Sequence, residues 1–109
     1  MGILKHTNEQ ISEISEFTRL KFGDDVFNRS RLPNFIYKRK IIVCVFYKLG
    51  FSLTTIARII EKHHTSVIHI IKNDFKCLDL TLTEKKYENF QYEIIEFLIE
   101  NNIPFKPKN

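Results

Sequence analysis

The stretch that decides the fold is SLTTIARIIEKHHTSVIHIIK, residues 52–72. Its apolar residues recur at three- and four-residue steps on both sides of a polar interruption, which predicts two helices with one apolar face each. Ser52 is placed to cap the first helix, because its hydroxyl can accept a hydrogen bond from a backbone N–H that the helix leaves unpaired. Residues 61–64 predict a tight polar corner. The second helix is expected to run to about Phe75, with the polar residues 63–66 in its first turn.

Two short helices joined by a corner are typical of a helix-turn-helix, in which the second helix places its N-terminal side chains in the DNA major groove. Histidine and serine can bond base edges or phosphates, and a threonine methyl can contact a thymine methyl. The residues in this position are His63, His64, Thr65 and Ser66. We interpret them as DNA-reading residues; the alternative is that the polar helix start serves only as a cap.

Basic residues are concentrated in the middle of the chain. Between residues 29 and 73, nine Lys or Arg stand against one acid, Glu61, whereas the segments on both sides are acidic. This pattern is typical of a surface that binds a polyanion. Charge alone does not separate that interpretation from an ordinary solvated surface. Three basic residues at the start of a predicted helix are candidates for phosphate contacts, which fix register without reading sequence: Lys38, Arg39 and Lys40.

The run KHHTSVIHI, residues 62–70, resembles the signature of the DNA-binding domain of the bacterial replication initiator DnaA family. That family reads roughly (G)RDHTTVLHA and carries SLxxIG on the preceding helix. Ser52 begins the corresponding SLTTI here, and Lys62 stands where the family has Arg. Four residues of the run match outright: His64, Thr65, Val67 and His69.

Two departures from the family pattern fall at the corner. It is one residue shorter than in common family members and lacks their glycines. His63 stands where the family has Asp, an acceptor suited to the exocyclic amine of cytosine or adenine. The target sequence is therefore expected to differ from the family's own site. The likeness covers about residues 7–100, and only residues 52–72 carry a specific motif.

The resemblance implies sequence-specific binding to double-stranded DNA, with a recognition helix in the major groove and an arginine arm in the minor groove. Arg29 and Arg31 are the arm candidates, and Arg31 aligns better with the arginine that the family uses. The resemblance also implies replication initiation or transcription control as the process, with other replication or regulatory proteins as further partners. We expect a cytoplasmic, nucleoid-associated protein, encoded by a phage or mobile element. The implied DNA-binding residues are Arg29, Arg31, Lys38, Arg39, Lys40, Ser52, Lys62, His63, His64, Thr65, Ser66 and His69.

The rest of the chain predicts a single all-α domain of five or six helices. Residues 1–6 are expected to be disordered, residues 7–101 to form the DNA-binding domain and residues 102–109 to form a flexible tail. The further helices are expected at about residues 7–23, 34–49 and 84–101. The first begins with a Thr7–Gln10 capping box. Its apolar stripe is Ile11, Ile14, Phe17 and Leu20.

The sequence argues against several other functions. It has no GxxxxGK[ST] phosphate loop, so the ATPase of a complete initiator is absent, and we expect neither an enzyme nor a cofactor. His64 and His69 are five residues apart, which is the wrong spacing for a helical metal pair. The longest apolar run, residues 41–47, is far shorter than the ~20 residues of a membrane helix. Cys44 and Cys77 are interpreted as free thiols in a reducing cytoplasm.

Two other functions remain open at this level. One is a protein-interaction module that keeps the fold and mimics an initiator domain. The other is a transposase-like DNA-binding module. The salt dependence of binding to duplex DNA separates the first from a DNA-binding domain, because only contacts with several phosphates produce a steep slope.

Overall fold

The computed structural model describes residues 5–23, 33–73 and 85–107, with side chains given for all of these except residues 33–38, 73 and 85–88. In these ranges the chain forms five α-helices and no strand, so the predicted all-α fold is confirmed. The helices are α1 Asn8–Phe22, α2 Pro33–Lys48, α3 Leu53–Ile59, α4 His64–Asn73 and α5 Lys85–Glu100. None of these described helices has the length and apolarity that crossing a bilayer requires.

Helix α1 begins as the sequence predicts. The Thr7 hydroxyl accepts a hydrogen bond from the Gln10 backbone N–H at 3.1 Å, and the Gln10 side chain accepts one from the Thr7 N–H at 2.9 Å. The expectation that Leu20 belongs to the buried stripe is wrong, because 78% of that residue is exposed. Thr18, four residues after the buried Ile14, takes the inward position instead and bonds its hydroxyl to the Ile14 carbonyl.

Helix α2 is the central element of the core. All its residues from 41 to 46 are buried, and it packs against α3, α4 and α5. The Phe46 ring lies 5.0 Å from Phe51 and 6.0 Å from Phe90 between ring centres, which joins α2 to the start of the α3 segment and to α5. Burial of such large side chains stabilises the fold by about 1.5–3 kcal/mol each.

The interpretation of Cys44 as a free thiol is wrong. Cys44 is buried in α2 and is disulfide-bonded, and the described residues contain no free cysteine. The only other cysteine of the sequence, Cys77, lies outside the described residues. A reducing compartment therefore does not follow from free thiols in this chain.

Helices α2, α3 and α5 end in the same backbone motif. In each, the second residue after the helix adopts a positive φ. The residue after that donates its backbone N–H to a carbonyl five positions earlier. This Schellman arrangement pairs carbonyls that the last helical turn leaves unsatisfied. The positive-φ residues are Gly50 (φ 87°), Glu61 (φ 56°) and Asn102 (φ 55°). These turns set the directions in which the chain leaves α2, α3 and α5.

Both described ends of the chain pack at the corner after α2. The His6 ring stacks on Phe51 with a centroid separation of 4.4 Å and lies 2.7 Å from the Pro104 carbonyl through Nε2. Ile103 is buried, and the Lys106 N–H bonds to the Leu49 carbonyl at 2.8 Å. The segment expected as a flexible tail therefore supplies a core side chain and a backbone hydrogen bond to this corner.

Candidate nucleic-acid interface

Helix α3 is short and is fixed by its cap. Its N-cap Ser52 accepts a hydrogen bond from the Thr55 backbone N–H at 3.1 Å, as the sequence predicts. The same hydroxyl donates to Thr55 Oγ1 at 2.8 Å. Ser52 is half-buried, and its hydroxyl proton is already used inside the protein. Its clear role is to start α3, whereas the resemblance also implied a contact with DNA.

Helix α1 holds α3 in place from the side. The buried Ser15 hydroxyl donates to the Ile59 carbonyl at 2.7 Å, which satisfies a group at the end of α3. At the rim, Arg58 donates to the Asn8 side chain and Arg19 forms an ion pair with Glu61. Three polar contacts thus connect α1 to α3 and to the second residue after it, Glu61.

The corner between α3 and α4 comprises residues 60–63. Its sharpest point is Glu61, in the left-handed region, with the Glu61 N–H bonded to the Arg58 carbonyl and the Lys62 N–H bonded to the Ala57 carbonyl. The sequence predicted a tight corner here, but it offered no glycine to make the turn. The helix–corner–helix unit therefore forms around a glutamate in a conformation that glycine usually occupies.

His63 is the N-cap of α4, so that helix begins at His64, one residue later than expected. The Thr65 backbone N–H donates to His63 Nδ1 at 3.2 Å, and the Ser66 N–H donates to the His63 carbonyl at 2.9 Å. The His63 ring also lies 2.9 Å from the Thr65 hydroxyl through Nδ1 and 4.4 Å from the His64 ring. Both histidine rings are therefore held at the start of α4.

One face of α4 is buried and the opposite face is open. Val67 is fully buried, while Thr65, His69 and Lys72 lie on the far side of the helix at four- and three-residue steps and are all exposed. We define the α4 surface as the half-exposed Lys62 together with the exposed residues His63, His64, Thr65, Ser66, His69 and Lys72. The structure thus brings six of the predicted DNA-binding residues onto one continuous stretch.

Three other predicted site residues lie on α2. Arg39 and Lys40 are half-buried there, and each has an interaction within the protein, as Lys62 of the α4 surface also has. Lys38 also lies on α2, but the structure describes only its backbone. Arg29 and Arg31 are not among the described residues.

Lys72 is the one member of the α4 surface that was not predicted as a site residue from the sequence. It follows His69 by three residues, which is the helical spacing that places two side chains on the same face. Extending the stripe through Thr65 and His69 by one more turn would have identified it. It adds a positive charge at the last turn of the helix, on the same side as Thr65 and His69.

The α4 surface carries only basic and neutral side chains, and the charge of the nearby acid, Glu61, is compensated. Glu61 is the only acid between residues 29 and 73, and Arg19 of α1 pairs with it. Partial burial lowers the pKa of the Arg39 guanidinium. An arginine nevertheless stays protonated in proteins, so Arg39 keeps its positive charge at neutral pH.

A cleft of about 300 Å³ opens between α1 and α3. Its lining includes Arg19 and Arg58, whose guanidinium groups are engaged with Glu61 and Asn8 respectively. Among the described residues, no three His, Cys, Asp or Glu side chains come together as a metal-binding group. The α4 surface is therefore the strongest candidate site in the described part of the chain.

Comparison with protein-family models, with curated proteins and with solved structures finds no match to this chain. The function of this protein is therefore inferred from the residues of the α4 surface and from their geometry.

Proposed function

We propose that this protein binds double-stranded DNA in a sequence-specific manner, as a helix-turn-helix domain with α4 as its recognition helix. The observation that carries the proposal is the α4 surface. The first turn of α4 presents only polar side chains to solvent, and Val67 is the first buried residue. A helix of this type can enter a major groove about 12 Å wide while its opposite face stays on the core.

The side chains of the α4 surface suit the chemistry of a groove. The side chains of His64, Ser66 and His69 can exchange hydrogen bonds with base edges, and none of these three side chains has a hydrogen-bonding partner within the described residues. Lys62 and Lys72 flank them with positive charge, which suits the phosphates on either side of a groove. The pairing of Glu61 with Arg19 supports the same proposal, because an uncompensated carboxylate here would repel the DNA backbone.

Two further parts of the proposal rest on the resemblance to the DnaA family. One is that the arm with Arg29 and Arg31 enters an A·T-rich minor groove, where the narrow groove concentrates negative potential. The other is that the DNA binding serves replication initiation or transcription control. Arg31→Ala tests the minor-groove arm. The variant should lose more binding affinity for a duplex with an A·T-rich flank than for one with a G·C-substituted flank.

The test of DNA binding uses duplexes selected from a random library by the wild-type protein. The affinity for the selected duplex is measured between about 50 and 200 mM salt for the wild type and for Lys62→Ala/Lys72→Ala. Each lost phosphate contact should reduce the slope of log K against log salt by about 0.9, so the double variant should lose up to about 1.8. The loss of affinity should be similar on selected and random duplexes, since phosphate contacts carry no sequence information.

Lys21→Ala is the control, and it is compared with Lys72→Ala alone. Each variant removes one positive charge, but Lys21 pairs with Glu93 between α1 and α5 at 2.8 Å. The control should keep the wild-type slope apart from the small effect of net charge. Failure of the wild type to enrich any duplex, or equal slopes for the control and the α4 variant, would contradict the proposal.

A further inference from the structure

Contacts within the protein hold the imidazole of His63 in place at the N-terminus of α4. Its Nδ1 receives the Thr65 backbone N–H at 3.2 Å and lies 2.9 Å from the Thr65 hydroxyl, and its ring packs against His64. Contacts on one ring nitrogen and on one ring face fix both the position and the rotation of the side chain. A group held in this way loses little conformational freedom when it binds a partner.

The cap also fixes the position of the ring proton. A nitrogen that accepts a backbone N–H must offer its lone pair, and a neutral imidazole carries its single proton on the other nitrogen. His63 therefore carries its proton on Nε2, and the Thr65 hydroxyl donates to Nδ1. Within the described part of the chain, nothing bonds to Nε2, and His63 is exposed. The capping geometry thus turns His63 into an outward-facing hydrogen-bond donor.

We propose that His63 reads a hydrogen-bond acceptor on a base edge in the major groove, namely purine N7, guanine O6 or thymine O4. This inference rests on the proposed DNA binding, and it names the chemical class of base that the site selects at one position. The donor edges of cytosine N4 and adenine N6 are excluded there, because Nε2 has no lone pair to offer them. The Thr65 hydroxyl proton is used on His63, so Thr65 contributes no donor of its own to the same base.

An aspartate at position 63 would present the opposite hydrogen-bonding role to a base, an acceptor instead of a donor. A carboxylate can also cap a helix, but it presents only acceptors to the groove. One substitution should therefore invert the preference of this position without removing the cap. The substitution is His63→Asp, and His63→Ser is its partner: serine caps the helix equally well but is too short to extend a donor into the groove.

The experiment substitutes single atoms in the duplex that the wild-type protein selects. 7-Deazapurines remove N7, 2-aminopurine in place of guanine removes O6, and 5-methyl-2-pyrimidinone in place of thymine removes O4. One of these substitutions, at one position, should weaken wild-type binding about tenfold, the equivalent of one lost hydrogen bond. His63→Ser should bind the unmodified duplex about tenfold more weakly and should lose nothing further on the substituted one.

A repeat selection with His63→Asp completes the test. At the position that the wild type reads as an acceptor, the variant should enrich cytosine or adenine. Circular dichroism and the melting temperature of both variants establish that α4 is retained, which their capping side chains should ensure.

Several outcomes would overturn the inference. One is an equal loss for wild type and His63→Ser on every substituted duplex. Another is an unchanged base preference of His63→Asp at a position where the wild type reads guanine or thymine, because adenine offers both an acceptor and a donor and does not separate the two side chains. Sensitivity of the wild type to a methylphosphonate at one phosphate, with no sensitivity to base atoms, would assign Nε2 to the backbone instead. In these cases DNA binding itself would stand. Failure of the wild type to select any duplex would remove both proposals together.

Discussion

The corners after α2 and after α3 make the same turn with different residues and different supports. After α2, Gly50 adopts a φ of 87° and is covered by the C-terminal segment, which donates the Lys106 N–H to the Leu49 carbonyl. After α3, Glu61 adopts a φ of 56° and is exposed, and its carboxylate pairs with Arg19 of α1. One corner is enclosed by backbone, and the other is open and tethered by a side chain.

The difference teaches why the two positions accept different residues. A Cβ at position 50 would lie 2.3 Å from the Lys106 carbonyl oxygen, so only glycine fits without movement of the chain. At position 61 the exposed side chain has room, and the cost is limited to the left-handed conformation, about 1–2 kcal/mol for a residue with a Cβ. The Arg19 ion pair offsets part of that cost. Glycine is therefore sterically required at position 50, whereas position 61 accepts a residue with a side chain.

The largest effect should come from Gly50→Ala. It combines the left-handed penalty with a clash that forces residues 103–107 away from the corner, so the free energy of unfolding should fall by about 3 kcal/mol. Urea unfolding followed by circular dichroism measures this change.

Gly23→Ala is the control for the clash. Gly23 also has a positive φ, 89°, and its ψ of 162° places it in a conformation that is largely restricted to glycine, but nothing lies within 4 Å of the position that its Cβ would take. Gly23→Ala therefore measures positive-φ strain without a clash. If Gly50→Ala costs no more than Gly23→Ala, the enclosure of the first corner has no energetic weight.

A smaller effect separates Glu61→Gly from Glu61→Ala. Both variants lose the Arg19 ion pair, but only glycine relieves the left-handed conformation, so the glycine variant should be more stable than the alanine variant by about 1 kcal/mol. Thermal and urea unfolding of the two variants, side by side, measure the difference. Equal stability of the two would mean that residue 61 is not in the left-handed region in solution.

The smallest effect is the Arg19–Glu61 ion pair itself. Its side chains are 39% and 54% exposed, so a double-mutant cycle of Arg19→Ala and Glu61→Ala should give a coupling of about 0.2–1 kcal/mol that fades at high salt. Arg19→Ala alone should also weaken the proposed DNA binding slightly at low salt, because it leaves Glu61 uncompensated beside the α4 surface. A coupling that is indifferent to salt would show that the contact between the two side chains is not electrostatic.

The parts of this protein that the sequence predicted correctly depend on contacts between residues a few positions apart. Apolar residues at helical spacing predicted the helices, and hydroxyls at positions 7 and 52 predicted their caps, which bond to residues only three positions away. Gly50 predicted the end of α2 for the same reason. The polar first turn of α4 also followed from the local sequence, whereas His69 was predicted only through the resemblance to the DnaA family and Lys72 was not predicted.

The tertiary structure alone decided what distant residues do to one another. The glutamate at the second corner is paired with an arginine 42 positions earlier, and Ile103 and Lys106 close the first corner from the end of the chain. The exposure of Leu20 belongs to the same class, since which side of α1 faces the core depends on where α3 and α5 lie. Such contacts leave no periodic trace, because their residues meet only once the core has formed. His63 lies between the two cases: its type was visible in the sequence, but its role as a cap, and hence the position of its proton, required the geometry of the folded corner.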